Sequence, residues 1–196
     1  MTTDRVPAPS SIAHIGLRTR NPEKLVSFYQ ALLGAQVVLT NDFISVLTWD
    51  EEHHRLAIIH DANASPKQAN ASGLDHIALK FASAKDLAQV YSHAKEADIT
   101  PKICLNHGVT TSLYYTDPDG NNIEAQIEAY NDPEDVQRHM KALDPTNIKA
   151  VKFDPEELLR RVDAGEDNES LRKAGLLGPQ PAPIVTSMAK AVAGGN

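Results

Sequence analysis

Cysteine is nearly missing from this chain. Cys104 stands alone among 196 residues, so no disulfide framework can form within it, and a reducing, cytoplasmic compartment is the simplest reading. A basic surface is missing as well. Nineteen Lys and Arg face 26 Asp and Glu, for a formal charge of −7, and no cluster of cations stands out. An acidic chain without a basic stripe is a poor partner for nucleic acid or an anionic membrane. No apolar run approaches the roughly 20 residues that span a bilayer. The opening Met1-Thr2-Thr3-Asp4-Arg5-Val6-Pro7 lacks the apolar stretch of a secretory signal. What is present is an apolar fraction of 41 %, enough for a sizeable core, and eight histidines. With one cysteine beside them, any metal site would draw on nitrogen and oxygen donors.

Two stretches match each other at one constant offset. The first reads Ala13-His14-Ile15-Gly16-Leu17-Arg18, then Asn21 and a run from Leu25 to Tyr29. The second reads Asp75-His76-Ile77-Ala78-Leu79-Lys80, then Ser83 and a run from Leu87 to Tyr91. Histidine, isoleucine, leucine, a basic residue, a helix cap, leucine and tyrosine coincide. A repeated unit carrying one histidine per copy implies two halves that share a site, which favours an enzyme over a binding module.

The pattern predicts βαβββ in each half. In the first, residues 12–18 alternate like a strand. Asn21-Pro22-Glu23 is a helix start with a capping side chain and a proline at the first helical position. Leu25, Phe28, Tyr29 and Leu32 share a face, and Gly34 ends the helix. Strands are expected near 35–40, 43–49 and 54–60. Residues 61–73 are polar and rich in breakers, as a linker would be. In the second half a strand at 74–81 leads to a helix capped by Ser83, with Leu87, Val90, Tyr91 and Ala94 on one face. Strands near 101–105, 111–116 and 122–128 follow, with Asp117-Pro118-Asp119-Gly120-Asn121 as the turn between the last two. One half alone has an open edge and an uncovered face, so modules 12–62 and 74–128 are expected to pair into one curved mixed sheet within an α+β domain over 12–128. Residues 1–11 read as an arm. Residues 129–196 read as a helical extension with starts at Asp132-Pro133-Glu134 and Asp154-Pro155-Glu156. Leu158, Leu159 and Val162 lie on one face, and Gly165 ends that helix. After Gly175 the chain is loop-like, and whether this tail covers the domain mouth or grips a partner stays open.

His14 and His76 are expected to point to matching sides of their sheet halves. Glu124, in Asn121-Asn122-Ile123-Glu124-Ala125-Gln126, is the obvious third ligand on a bordering strand. Two imidazoles and one carboxylate on one side of an octahedron leave positions open for an organic substrate and dioxygen, a set suited to ferrous iron and also to manganese. A lone histidine on a half-buried strand is more often an ordinary core residue. The matched repeat and the glutamate favour the metal instead.

The paired βαβββ units with His14, His76 and Glu124 resemble the vicinal oxygen chelate superfamily. Within it, the chain is most similar to the type I extradiol ring-cleaving dioxygenases, and to small one-domain members in particular. The stretch that carries this is His107-Gly108-Val109, then Tyr114-Tyr115-Thr116-Asp117-Pro118-Asp119-Gly120-Asn121-Asn122-Ile123-Glu124. Tyr114 precedes Glu124 by the family's spacing, while His107 sits somewhat closer to the tyrosine than in the two-domain enzymes. His54-Arg55-Leu56-Ala57-Ile58 resembles the family's fourth strand, which opens with an acid–base histidine. His53 is adjacent and expected on the opposite face, and the resemblance favours His54. The tail at Asp154-Pro155-Glu156-Glu157-Leu158-Leu159 also looks like that of the small members.

The resemblance implies a non-haem Fe(II) enzyme, with Mn(II) as the other fit, that opens a catechol-type ring with O2. It implies that Tyr114 and His107 hydrogen-bond the substrate oxygens and aid their deprotonation, and that His54 sits beside dioxygen and donates a proton. It also implies a homo-oligomer. Taken alone, Tyr114 reads equally as a core aromatic, His107 as a turn residue and His53-His54 as a solvated hairpin tip. His93 reads as helix surface, and His60 and His139 stay undecided. Two other functions compete. A glyoxalase-like lyase or isomerase would need a fourth protein ligand, but the position equivalent to Glu124 in the first module is about Ala62, with His60 or Asp61 nearby. A drug-binding resistance protein of the same fold generally needs no triad.

Overall fold

A computed structural model describes residues 6–68, 71–142 and 150–172. The loop-like tail after Gly175 lies outside these residues. The chain divides into two compact units, Met1–Ser65 and Pro66–Asn196. Each contains one copy of the repeat.

The first unit runs β1 (Ile15–Thr19), α1 (Pro22–Leu33), β2 (Gln36–Thr40), β3 (Ile44–Thr48) and β4 (Leu56–His60). Its four strands lie in the order β1-β4-β3-β2, with β1 parallel to β4 and the other pairs antiparallel. The parallel pair follows from the helix between β1 and the hairpins, because a crossover is needed to bring a strand back in the same direction. Leu25, Phe28, Tyr29 and Leu32 are the buried face of α1, as their spacing predicts. Gly34 closes the helix at φ 64, and its N–H reaches the Gln30 carbonyl at 3.0 Å. The start differs from expectation. The Asn21 side chain makes no capping bond; instead Thr19 Oγ1 accepts from the Asn21 N–H at 2.9 Å.

The second unit runs β5 (His76–Lys80), α2 (Ala84–Glu96), β6 (Ile103–Asn106), β7 (Thr110–Thr116), β8 (Asn122–Glu128), α3 (Pro133–Ala142), β9 (Val151–Lys152), α4 (Pro155–Asp163) and α5 (Asn168–Arg172). Its sheet order is β5-β8-β7-β6-β9, again with one parallel pair, β5 with β8. Ser83 caps α2 by accepting from the Asp86 N–H at 3.1 Å. Leu87, Val90, Tyr91 and Ala94 are buried on the helix face against the Ile123, Ala125 and Ile127 side of β8, which is buried too. Each fully buried leucine or isoleucine contributes about 1.5–3 kcal/mol. Asp154 caps α4, accepting from the Glu156 N–H at 3.0 Å. Leu158, wholly buried, docks that helix on α2. Tyr91 Oη donates to Glu156 Oε1 at 2.6 Å on the same seam, and Lys95 pairs with that carboxylate. Sequence reading missed β9 and α5, two and five residues long, because neither is long enough to show a period.

Both units are therefore βαβββ modules with helices on one sheet face, and the second carries an added strand and three further helices. Among the described residues no helix is long and apolar enough to cross a membrane.

Candidate metal centre

The face of the second sheet opposite α2 gathers four of the expected residues. Alternation along β8 sends Ile123 and Ala125 to the helix side and Glu124 to the other. The ladder sets Glu124 opposite Tyr114 on β7 and beside Ala78 on β5. His76 opens β5 on the same side. The result is a hydrogen-bonded row. His76 Nε2 lies 3.0 Å from Glu124 Oε2. Tyr114 Oη donates to Glu124 Oε1 at 2.7 Å, and His107 Nε2 is 3.1 Å from the same phenol oxygen. Tyr114 has one proton and gives it to Glu124, so His107 is assigned as the donor at Nε2.

His76 Nδ1 lies 2.7 Å from Asp75 Oδ2, a contact that fixes the proton on Nδ1 and turns the Nε2 lone pair outward. That lone pair then faces a carboxylate oxygen. Two acceptors at this distance repel unless a cation or an extra proton lies between them. Glu124 is only 5 % exposed, and among the described residues its one ionic partner is this imidazole. A buried carboxylate in that position is costly without a positive partner. An imidazole nitrogen and a carboxylate, held by a neighbouring acid and a tyrosine, are a donor set for iron or manganese.

Burial shifts the other groups in consistent directions. The Tyr114 phenol is pushed well above its ordinary range, first by desolvation and then by its bond to the Glu124 carboxylate, so it remains a proton donor. His107 is held below the usual imidazole value by burial, with the charge of Glu124 opposing.

In the first unit His14 immediately precedes β1 and is exposed, at the place in its module that His76 holds in the other. Arg55 fixes the approach, donating from Nη1 to the Ile12 and Ala13 carbonyls at 3.0 and 3.3 Å. The His14 ring lies 4.6 Å from that of His54. His54 is held below the ordinary imidazole value, first by desolvation and then by the neighbouring His53 and His14. His53 does not take the opposite face. Its ring lies 4.4 Å from His54, because both residues belong to the β3–β4 connection, where strand alternation does not apply. His53 is the more exposed, with 76 % of its side chain open.

The ladders also revise one equivalence. Gly16 pairs with Ala57 as Ala78 pairs with Glu124. The counterpart of Glu124 in the first module is therefore Ala57, not Ala62. His60 is occupied by Ser45 Oγ at 3.0 Å and Asp61 by Arg18 at 2.9 Å. Among the described residues no group of three or more His, Cys, Asp or Glu side chains is gathered to hold a metal. His93 is exposed on α2 as expected. His139 bonds Tyr130 Oη at 3.1 Å. Sequence reading did not single out Asp75, although its position directly before His76 was the available signal.

This fold and donor set define a class, and sequence comparison agrees with it. The profile of the Glyoxalase/Bleomycin resistance protein/Dioxygenase superfamily matches residues 11–125, and the chain belongs to that family. It is 37 % identical over 160 residues to biphenyl-2,3-diol 1,2-dioxygenase 2 of Rhodococcus globerulus, covering 81 % of this chain and 84 % of that one. It is 36 % identical over 163 residues to biphenyl-2,3-diol 1,2-dioxygenase 3 of the same organism, covering 82 % and 86 %. Among solved structures, the glyoxylase/bleomycin resistance protein/dioxygenase domain from Frankia sp. EAN1pec matches with a TM-score of 0.54 at 16 % identity, over 64 % of this chain and 96 % of that one. The expectation of an extradiol dioxygenase agrees with what these sequence relatives are.

Proposed function

We propose that the chain is a ferrous extradiol dioxygenase that opens a catechol-type ring with both atoms of O2. The observation that carries this is the His76–Glu124 contact at 3.0 Å with Asp75 behind the histidine and Tyr114 behind the glutamate. His76 and Glu124 would hold the metal, Fe(II) or Mn(II), together with His14 from the first module. Support for His14 is its place in the repeat and the adjoining His54 ring. The reading requires modules 12–62 and 74–128 to act as one catalytic domain.

A metal bound there would supply a meeting point for the diol and dioxygen and a path for electrons between them. The chain's own groups manage protons. The diol must lose a proton for its ring to be opened. The His107–Tyr114–Glu124 row is hydrogen-bonded from end to end, and turning the Tyr114 hydroxyl from Glu124 to the diol would supply the donor that stabilises the anion that forms. With its proton on Nε2, His107 keeps Nδ1 as an acceptor. His54, favoured as the neutral base by its surroundings, can take a proton near neutral pH and return it to a reduced oxygen. The substrate is a small aromatic diol, and the names of the relatives direct the first choice to a biphenyl-2,3-diol. A cytoplasmic location and a homo-oligomer complete the proposal.

The glyoxalase-like alternative is weakened by Ala57, which offers no fourth ligand at the site related to Glu124. The test is anaerobic loading with Fe(II), then air and a panel of diols, followed by oxygen electrode and absorbance. Stoichiometric oxygen uptake with a yellow ring-opened product is expected. An iron-loaded protein inert to every diol, or one that isomerises a hemithioacetal instead, would refute it.

A further inference from the structure

His107 rides on the connection between β6 and β7, an exposed position in most hairpins, yet its surroundings are fastened at several points. Asn106 is 5 % exposed, and both ends of its amide are used. Its Oδ1 accepts from the Gly108 N–H at 2.8 Å, and its Nδ2 donates to Thr111 Oγ1 at 2.8 Å. Thr111 is itself fully buried. The His107 N–H reaches the Thr110 carbonyl at 2.8 Å, and Val109 O accepts from the Ala129 N–H at 2.8 Å. Gly108 takes φ 82, a left-handed conformation that favours glycine. Beyond it stands His139 of α3, whose Nε2 would lie 3.3 Å from a β-carbon at Gly108. The His139 ring is tethered in turn by Tyr130 Oη. The backbone on both sides of His107 is thus held by the sheet and by Asn106, and a side chain at Gly108 would crowd His139.

We propose that Asn106 is a positioning residue: its amide fixes the turn that aims the His107 imidazole at the Tyr114 hydroxyl. Its side-chain bonds go to Gly108 beside His107 and to Thr111 at the start of β7, not to Tyr114 or Glu124, so His107 is the site residue nearest to its grip. A side chain kept 95 % buried for stability alone would be better apolar. An amide satisfied at both ends specifies one turn geometry, and the residue so held is the proton-handling histidine. The role of His107 rests on the ring-cleavage reading, whereas the clamp itself does not.

The test combines Asn106→Ala, Asn106→Asp and His107→Ala. An aspartate can still accept from Gly108 N–H and can accept from the Thr111 hydroxyl, so it keeps the clamp with the second bond reversed. In the iron-loaded enzyme, Asn106→Ala is expected to lower kcat about tenfold or more, with KM and iron content little changed. Asn106→Asp is expected to recover kcat to within about threefold of wild type. In the His107→Ala background, Asn106→Ala is expected to cost nothing further. An equal loss with and without His107, or a loss of iron, would overturn the proposal. A second readout uses the metal-free protein and needs no turnover. Asn106→Ala should speed Gly108 amide exchange and shift the His107 ring resonances, with the β7 amides from Ser112 to Thr116 unchanged. Unchanged Gly108 and His107 signals would equally overturn it. Wild-type protein inactive on all diols, with these signals still moving, would refute ring cleavage and leave the clamp standing.

Discussion

Replacing Tyr114 with phenylalanine removes one oxygen atom from the centre of the site. The ring stays, so packing around this residue, 3 % exposed, is nearly conserved. The donor at 2.7 Å to Glu124 Oε1 is lost, as is the acceptor at 3.1 Å for His107 Nε2. A hydrogen bond to a charged group is worth about 1.5–3 kcal/mol when its partner is left buried, and Glu124 has little solvent to replace it. For a chain of this size each kcal/mol moves the midpoint by about 2–4 °C. The metal-free variant should therefore melt about 3–12 °C below wild type. Saturating Fe(II) or Mn(II) should shrink that gap, because a cation relieves the carboxylate that lost its donor. With iron bound, kcat should drop by about 10²-fold or more if the phenol takes part in proton transfer. Thermal melts with and without metal, and an oxygen electrode, are the assays. A variant that melts and turns over like wild type would show that the phenol and Glu124 do not cooperate. An undiminished gap on adding metal would show that the cation does not reach Glu124.

Other expectations follow from neighbouring groups. Asp75→Leu removes the partner that orients His76, and metal affinity measured by competition with a chelator should fall about 10–100-fold with the fold intact. Cys104 is 7 % exposed, and burial pushes its thiol up to about 12. A thiol reagent at pH 8 should leave the native protein nearly unlabelled and react once denaturant unfolds it. Burial holds His107 below the ordinary imidazole value of about 6.5. Below that pH the unfolded chain takes up a proton that the folded one resists, so this contribution to stability is complete above about 6.5. It is lost as pH falls towards the folded value. His107→Gln should flatten that part of the acid slope in denaturant titrations.

Much of the architecture was legible because the repeat carries its own punctuation. Pro22 and Gly34 bound α1, Ser83 caps α2, and the apolar faces of both helices are the residues the 3.6-residue period selects. On the helix-free face of the second module, the repeat singled out His76 and alternation along β8 singled out Glu124, whereas Tyr114 and His107 were legible only through the family resemblance. Where strands end, the period gives no guidance. His14 and His54 lie just outside β1 and β4, so their directions come from turn geometry, which is why His53 and His54 touch instead of pointing apart. The equivalence of Ala57 with Glu124 needed the ladder register, because the half-modules differ in loop length between helix and last strand. The grip on the His107 turn was invisible for another reason. It joins Asn106 to Thr111 and to the Gly108 N–H, contacts between residues whose types carry no periodic signal.

The central claim is that His14, His76 and Glu124 hold one iron ion. Its most direct measurement is Fe(II) stoichiometry of anaerobically reconstituted, desalted protein, compared among wild type, His14→Ala, His76→Ala and Glu124→Ala, with circular dichroism confirming the fold of each. The account predicts one iron per wild-type chain and almost none in all three variants. Full iron retained by any of them would contradict it.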